Sequence, residues 1–361
     1  MTPAPLPRYR ADAWAGGFVV DSPVYTAAIS AVDGTVVAAT ELIYRLRPGA
    51  IGFQTREPPE GVGDVVAVAV EPRRPGSKQR IAVATMHELH LYGAAGVASL
   101  PLHEDDGELV ELLWGPMLTT PPEGAPDPRD APIDVLYARC TEVLFQVVPD
   151  GSAFGTLTRL SGPVARARVL ATDHAGGFAF ACFDDEDGQV EVWTLAEREP
   201  ELLWHCRRLE PPATFSGMEL AIAGKALAVS FDFGGVWLTR DYREHAFTEI
   251  EALRGRLDPR ERCDAAALAF EGAAGDAALF AAFLDTRSTQ HIVRVDAAGR
   301  AQRIAEVEIE GDEEGKVLLP PVRALAWDAT RRTLWSAAGR AGIMRSTAPG
   351  GRTWLPAGAP S

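Results

Sequence analysis

Met218-Glu219-Leu220-Ala221-Ile222, Leu227-Ala228-Val229-Ser230 and Val236-Trp237-Leu238-Thr239 are three short apolar runs within residues 218–239, each parted from the next by a polar turn. Short runs broken by turns read as antiparallel strands rather than helices. The middle run has close counterparts at Val36-Val37-Ala38-Ala39, Ile81-Ala82-Val83-Ala84, Leu136-Tyr137-Ala138, Phe178-Ala179-Phe180-Ala181, Leu279-Phe280-Ala281-Ala282 and Leu334-Trp335-Ser336-Ala337. From Val36 onward the spacings are 45, 55, 42, 49, 52 and 55 residues. A period in this range marks one supersecondary unit used repeatedly.

Each unit reads as four strands. The first is typified by Val65 to Val70 and Val322 to Trp327. The second is the near-continuous, small-residue run expected of a strand buried on both faces. The third alternates, as in Val190-Glu191-Val192-Trp193 and Leu89-His90-Leu91-Tyr92, which predicts a half-exposed strand. The fourth is irregular, as suits an outer edge, and Asp33-Gly34 and Asp150-Gly151 supply hairpin turns.

The expected fold is all-β: a seven-bladed β-propeller of four-stranded antiparallel blades, forming a single domain over 1–361. The blades are expected at 24–57, 64–103, 108–160, 163–206, 215–250, 263–308 and 321–357. Residues 1–23, with Trp14, could close the ring against the last blade. Glu249 to Arg262 is the best helical candidate, held to one or two turns by Pro259. Thr119 to Pro132 and Glu308 to Pro321 read as exposed loops.

Composition excludes several functions. A net charge of −15 argues against nucleic acid, whose phosphates require clustered Lys and Arg. No run approaches the roughly 18 apolar residues of a spanning helix, and residues 1–20 lack a signal-peptide core, so a cytoplasmic protein with no membrane partner is expected. Cys140, Cys182, Cys206 and Cys263 lack metal-knuckle or redox spacing and read as reduced thiols. Asn is absent and Lys is confined to positions 78, 225 and 316, a bias that suggests a GC-rich bacterial source.

Gly342-Ile343-Met344-Arg345-Ser346-Thr347-Ala348-Pro349-Gly350-Gly351-Arg352-Thr353-Trp354 resembles the Asp-box hairpin of sialidase-like and photosystem-assembly-factor-like propellers. The stretch from Gly235 through Asp241 to Phe247 resembles the same element. Each is one residue longer than the motif; Ala348 stands for its Asp in one, and Arg243 for its Gly in the other. The resemblance implies a propeller in which the carboxylate pins a turn and the aromatic packs inward, a structural role.

In a propeller, the turns between second and third strands share a face with the loops between blades. Those turns carry Glu41, His87 with Glu88, Glu142, Asp184 to Asp187, Asp232 and Asp285; the seventh carries Arg340 instead. The inter-blade loops add Glu57, Glu60 and Asp64, then Glu104 to Asp106, then Asp312 to Glu314. Such a face would steer a basic protein partner or hold a divalent cation. The plainer explanation is that turns favour acidic residues in an acidic protein. The partner-binding candidates are Glu41, Glu88, Glu142, Asp184, Asp185, Asp187, Asp232, Asp285 and Arg340, with Trp114 and Trp204 as further anchors.

No nucleophile elbow, zinc-protease helix, P-loop or dinucleotide fingerprint occurs. His87 and His90 alone would not make a metal site. The expected function is therefore a non-catalytic protein-binding or assembly scaffold without a cofactor. The alternative is a propeller hydrolase or lyase with a carboxylate or metal-assisted site on the axis.

Overall fold

In a computed structural model, the residues described are 8–10, 26–29, 36–39, 43–46, 54–56, 65–71, 79–93, 96–118, 134–151, 153–173, 177–184, 188–196, 199–207, 218–231, 235–253, 265–272, 276–284, 289–308, 322, 324–329, 331–337, 343–346 and 354–356. The first strand is β1 (Arg8–Arg10). After it come β2 (Thr26–Ile29), β3 (Val36–Ala39), β4 (Ile43–Leu46) and β5 (Gln54–Arg56), forming one antiparallel sheet. The next sheet is β6 (Ala67–Val70), β7 (Ile81–Ala84), β8 (Glu88–Gly93) and β9 (Gly96–Pro101). A third comprises β10 (Leu109–Pro116), β11 (Asp134–Cys140), β12 (Leu144–Asp150) and β13 (Ala153–Arg159). A fourth holds β14 (Ala167–Thr172), β15 (Phe178–Asp184), β16 (Gln189–Ala196) and β17 (Glu199–Arg207).

The pattern continues with β18 (Met218–Ala223), β19 (Ala226–Phe231), β20 (Gly235–Thr239) and β21 (Thr248–Glu249). Then come β22 (Ala265–Phe270), β23 (Leu279–Leu284), β24 (Thr289–Val295) and β25 (Ala301–Glu308). The last sheet is β26 (Ala324–Asp328), β27 (Thr333–Ala337), β28 (Ile343–Ser346) and β29 (Trp354–Pro356).

Strand order corrects the expectation of seven four-stranded blades: among the described residues six sheets have four strands, and the sheet of β22 to β25 has five. The extra strand is β1, which pairs with β25 in parallel. It therefore joins this sheet and not the last one, where ring closure was expected. The physical reason is the free outer edge of β25, an eight-residue strand that offers unpaired backbone groups.

Contacts divide the chain into two compact units: Met1–Ala27 with Gly49–Phe53 and Arg208–Ser361, and Ala28–Pro48 with Gln54–Arg207. Within the second unit, the sheet of β6 to β9 is apolar on both faces. Ala67, Ala69, Ala82, Ala84, Leu89 and Leu91 pack with Trp114 and Leu136 of the next sheet. Val68, Val70, Ile81 and Val83 pack with Val37 and Ile43 of the preceding one. The period of two thus sends alternate residues to two neighbours, and alanines on one face let that neighbour approach. In the first unit, Leu268, Phe270 and Leu279 likewise face one way, while Ala267, Ala269 and Phe280 face the other.

Two local expectations change. The third strand β8 is buried from Leu89 to Tyr92, because neighbouring sheets cover it on both faces. Glu249 closes β21, and Glu251–Leu253 makes a single 3-10 turn in place of a helix start. Trp14 and residues 254–262 lie outside the described residues. Among the described residues no helix is long and apolar enough to cross a membrane.

Candidate functional site

Every sheet has two ends, and their carboxylates are used differently. At the turn from first to second strand, an acid follows or ends β6, β14, β22 and β26: Glu71, Asp173, Glu271 and Asp328. Glu71 accepts from the Arg80 backbone N at 3.0 Å and Nε at 2.8 Å. Asp173 Oδ1 accepts from Gly177 N at 2.8 Å, and Glu271 Oε2 from Arg294 Nε at 2.9 Å. Asp328 Oδ1 accepts from Arg331 N at 3.0 Å, and its Oδ2 from Arg331 Nη1 at 2.5 Å. These four carboxylates are committed to hairpins or to an arginine of their own sheet.

The opposite end, where second and third strands meet, differs in the second unit. The Met86–His87 turn docks on the segment between sheets: Leu109 N donates to Met86 O at 2.8 Å, and Leu102 N to His87 O at 2.9 Å. That segment in turn holds the following turn, with Thr141 N donating to Glu108 O at 2.9 Å and Glu108 N to Thr141 Oγ1 at 3.2 Å. One backbone-linked loop set therefore carries His87, Glu104, Asp105, Glu108 and Glu142, all exposed, together with Met86, which is 44% exposed. Glu88 opens β8 beside it.

The connecting loop is built to hold this position. His103 caps the 3-10 turn Glu104–Asp106, its Nδ1 accepting from Asp105 N at 3.3 Å, and Asp106 Oδ2 accepts from His103 N at 3.2 Å. Gly107 ends the turn at φ 79°, ψ −171°, a glycine conformation; a Cβ there would lie 2.1 Å from Thr141 Oγ1. Gly107→Ala is expected to cost about 2 kcal/mol of stability. Adding Thr141→Ala should recover part of it in urea unfolding; no recovery would place the strain elsewhere.

The candidates read from sequence separate into three groups. Glu142 belongs to the loop set and Glu88 flanks it. Asp184 ends β15 and lies 3.7 Å from Arg166 Nη1, while Arg166 Nη2 donates to Glu191 Oε2 at 3.3 Å, so a cation already faces it. Glu41, Asp185, Asp187, Asp232, Asp285 and Arg340 lie outside the described residues.

Trp114 is corrected outright: it is 1% exposed in the core between two sheets and presents nothing to a partner. Trp204 is half-buried on β17. Met86, Glu108 and Gly107 were missed. The acidic run ending in glycine was visible at 104–107, but its backbone docking on two turns depends on distant residues.

His87 and His90 do not form a pair. His87 is exposed, whereas His90 is 1% exposed, its Nδ1 2.8 Å from Ser99 Oγ across the strands. Burial pulls its basicity down, against the opposing pull of Glu88, whose Oε2 is 3.6 Å from Nε2. Burial, reinforced by Asp106, pushes the Cys140 thiol up to about 11, against Arg139. Among the described residues no three His, Cys, Asp or Glu side chains converge as metal ligands.

Of the two Asp-box-like hairpins, the first is described through its turn. Asp241 Oδ2 accepts from Lys225 Nζ at 3.1 Å and its Oδ1 from Arg243 N at 3.1 Å. The lysine hydrogen bond, helped by the Arg243 backbone N–H, holds this carboxyl below its ordinary range against the opposing effect of desolvation. The acid thus pins the turn, a structural role.

No protein family and no curated protein matches the sequence. Solved structures do resemble it. PorZ, a surface component of the type-IX secretion system of Porphyromonas gingivalis, is 12% identical with a TM-score of 0.53; 94% of this chain is covered, but the chain spans 39% of PorZ. An inactive variant of virginiamycin B lyase from Staphylococcus aureus, solved with quinupristin, is 12% identical over 91% of this chain and 96% of that one, TM-score 0.55. The β-propeller domain of Swd1 from Myceliophteria thermophila is 10% identical over 88% and 96%, TM-score 0.52. At these identities the likeness shows the fold: the chain is an all-β propeller with four-stranded antiparallel blades.

Proposed function

We propose that the chain is a non-catalytic protein-binding or assembly propeller whose acidic loops take a basic segment of a partner protein. One observation carries this: the backbone-linked loops of the second unit carry the exposed acids Glu104, Asp105, Glu108 and Glu142 together with exposed Met86. Carboxylates orient and accelerate the approach of a cationic partner, and an apolar side chain on the same loops adds contact that salt does not screen. The similar structures include PorZ, a surface component of a secretion system, as well as a lyase. We place its work in the cytoplasm; Cys140 and Cys182 are buried free thiols, as suits a reducing compartment.

The test separates this patch from net charge. Glu104, Asp105, Glu108 and Glu142 are all changed to Lys in one variant. Exposed Asp150, Glu244, Glu251 and Asp276 are changed to Lys in a control with the same net charge. Binding of a fluorescent oligoarginine peptide and salt-sensitive co-purification of partners are measured for both. The patch variant is expected to lose at least about tenfold in affinity, and the control much less. Equal losses would reduce the effect to bulk charge and sink the proposal. A chelator is expected to leave binding unchanged.

A further inference from the structure

Glu88-Leu89-His90-Leu91-Tyr92 sends alternate side chains to opposite faces of β8. Leu89 and Leu91 enter the core shared with the next sheet. Glu88, His90 and Tyr92 fall on the other face, where Tyr92 packs with Val37, Ile43 and Val83. His90 is 1% exposed, whereas the Glu88 side chain, beside the turn, is 40% exposed. A buried imidazole costs stability unless both its nitrogens find partners. Only one does: Nδ1 lies 2.8 Å from Ser99 Oγ, while Nε2 has no hydrogen-bond partner and faces Glu88 Oε2 at 3.6 Å.

The two protonation states of the ring therefore fit this place differently. A neutral imidazole has one N–H; with that proton on Nδ1 and directed at Ser99, Nε2 is bare beside a carboxylate. An imidazolium has two, and its Nε2–H donates to Glu88 once the carboxylate closes from 3.6 Å to hydrogen-bond distance. The Glu88 backbone need not move for this. Thr85 N donates to Glu88 O at 2.9 Å and Glu88 N to Thr85 Oγ1 at 3.2 Å, which leaves the side chain to swing.

Charged and titratable groups on this face are few among the described residues. β6 places Val68 and Val70 there, β7 places Ile81 and Val83, and β9 sets Ser99 opposite His90. On the preceding sheet Val37 and Ile43 face it, and Arg45, opposite Val37, donates to Gln79 Oε1 at 2.8 Å. Glu41, in the turn between β3 and β4, lies outside the described residues. On β8 itself stand Tyr92 and Glu88. Burial favours the neutral ring of His90, and Glu88 favours the charged one.

We propose that His90 and Glu88 form a pH-operated latch on the acidic loops of the second unit. Protonating the buried imidazole draws the Glu88 carboxylate off the surface onto Nε2, and so weakens the hold of those loops on a basic segment. The charge withdrawn is the one that flanks the Met86–His87 turn. The binding consequence rests on the reading of the loops given above; the latch itself does not.

The experiment uses the full chain with His87→Gln and His103→Gln, which silence the exposed imidazoles of the same loops. The His90 ring signal is followed by NMR between about pH 7.5 and about pH 5. His90 is expected to take up a proton within the native fold, at a lower pH than an exposed histidine, and Glu88→Gln should lower its midpoint further. Over the same range the affinity for an oligoarginine peptide should fall at least about twofold more with Glu88 present than in Glu88→Gln. Unfolding before His90 is charged, a midpoint indifferent to Glu88→Gln, or equal falls in affinity in both chains would overturn the inference. A Glu88-dependent titration in a chain that binds no peptide at any pH would support the latch and sink the loop reading instead.

Discussion

Replacing Trp114 by alanine is expected to cost about 4 kcal/mol of stability, among the largest effects of any single substitution in the second unit. The indole sits on β10 opposite Leu136, is 1% exposed, and packs with Ala67, Ala69, Ala82 and Ala84 of the preceding sheet. Those alanines cannot expand into the space it would leave, so the cavity persists and the cost is high. Trp114→Phe should lose much less, because the buried indole Nε1 has no hydrogen-bond partner to forfeit. Urea unfolding of both variants tests this, and equal losses would contradict the packing account.

Arg80→Met is expected to cost about 3 kcal/mol, for a different reason. Arg80 grips Glu71 through its backbone N and its guanidinium, donates Nη1 to Gly151 O at 3.0 Å, and lies 5.3 Å above the Trp114 ring. The Glu71 side chain is only 9% exposed, so removing the arginine strands a carboxylate away from water. Glu71→Gln combined with Arg80→Met should be milder than Arg80→Met alone, since no buried charge remains. A double variant as unstable as the sum of both singles would show that the ion pair is not the source.

The strands that pack the sheets were legible because their signal is local. Ile81 to Ala84 is a run of small and branched apolar residues, and it is buried end to end as β7. Trp114 misled because a large aromatic near a strand end looks the same whether the next sheet covers it or not. β1 was illegible in its pairing: Arg-Tyr-Arg has no apolar alternation, and its partner is β25, far along the chain. At the loops, residue type and turn position were readable at Glu142 and at 104–106. That Arg166 answers Asp184, while Glu108 docks its backbone on Thr141, follows from tertiary placement that spacing does not encode.

The two ends of the hairpins in the second unit now have an electrical meaning. At one end of the β6–β7 pair the Glu71 carboxylate is cancelled by Arg80, while at the other the loop carboxylates stand in water. Negative charge left at one end of a strand pair and neutralised at the other gives that pair a dipole moment along its length. A cationic partner therefore feels a torque before it feels a contact, and part of the search for the right orientation is completed at a distance on the order of the ~8 Å screening length.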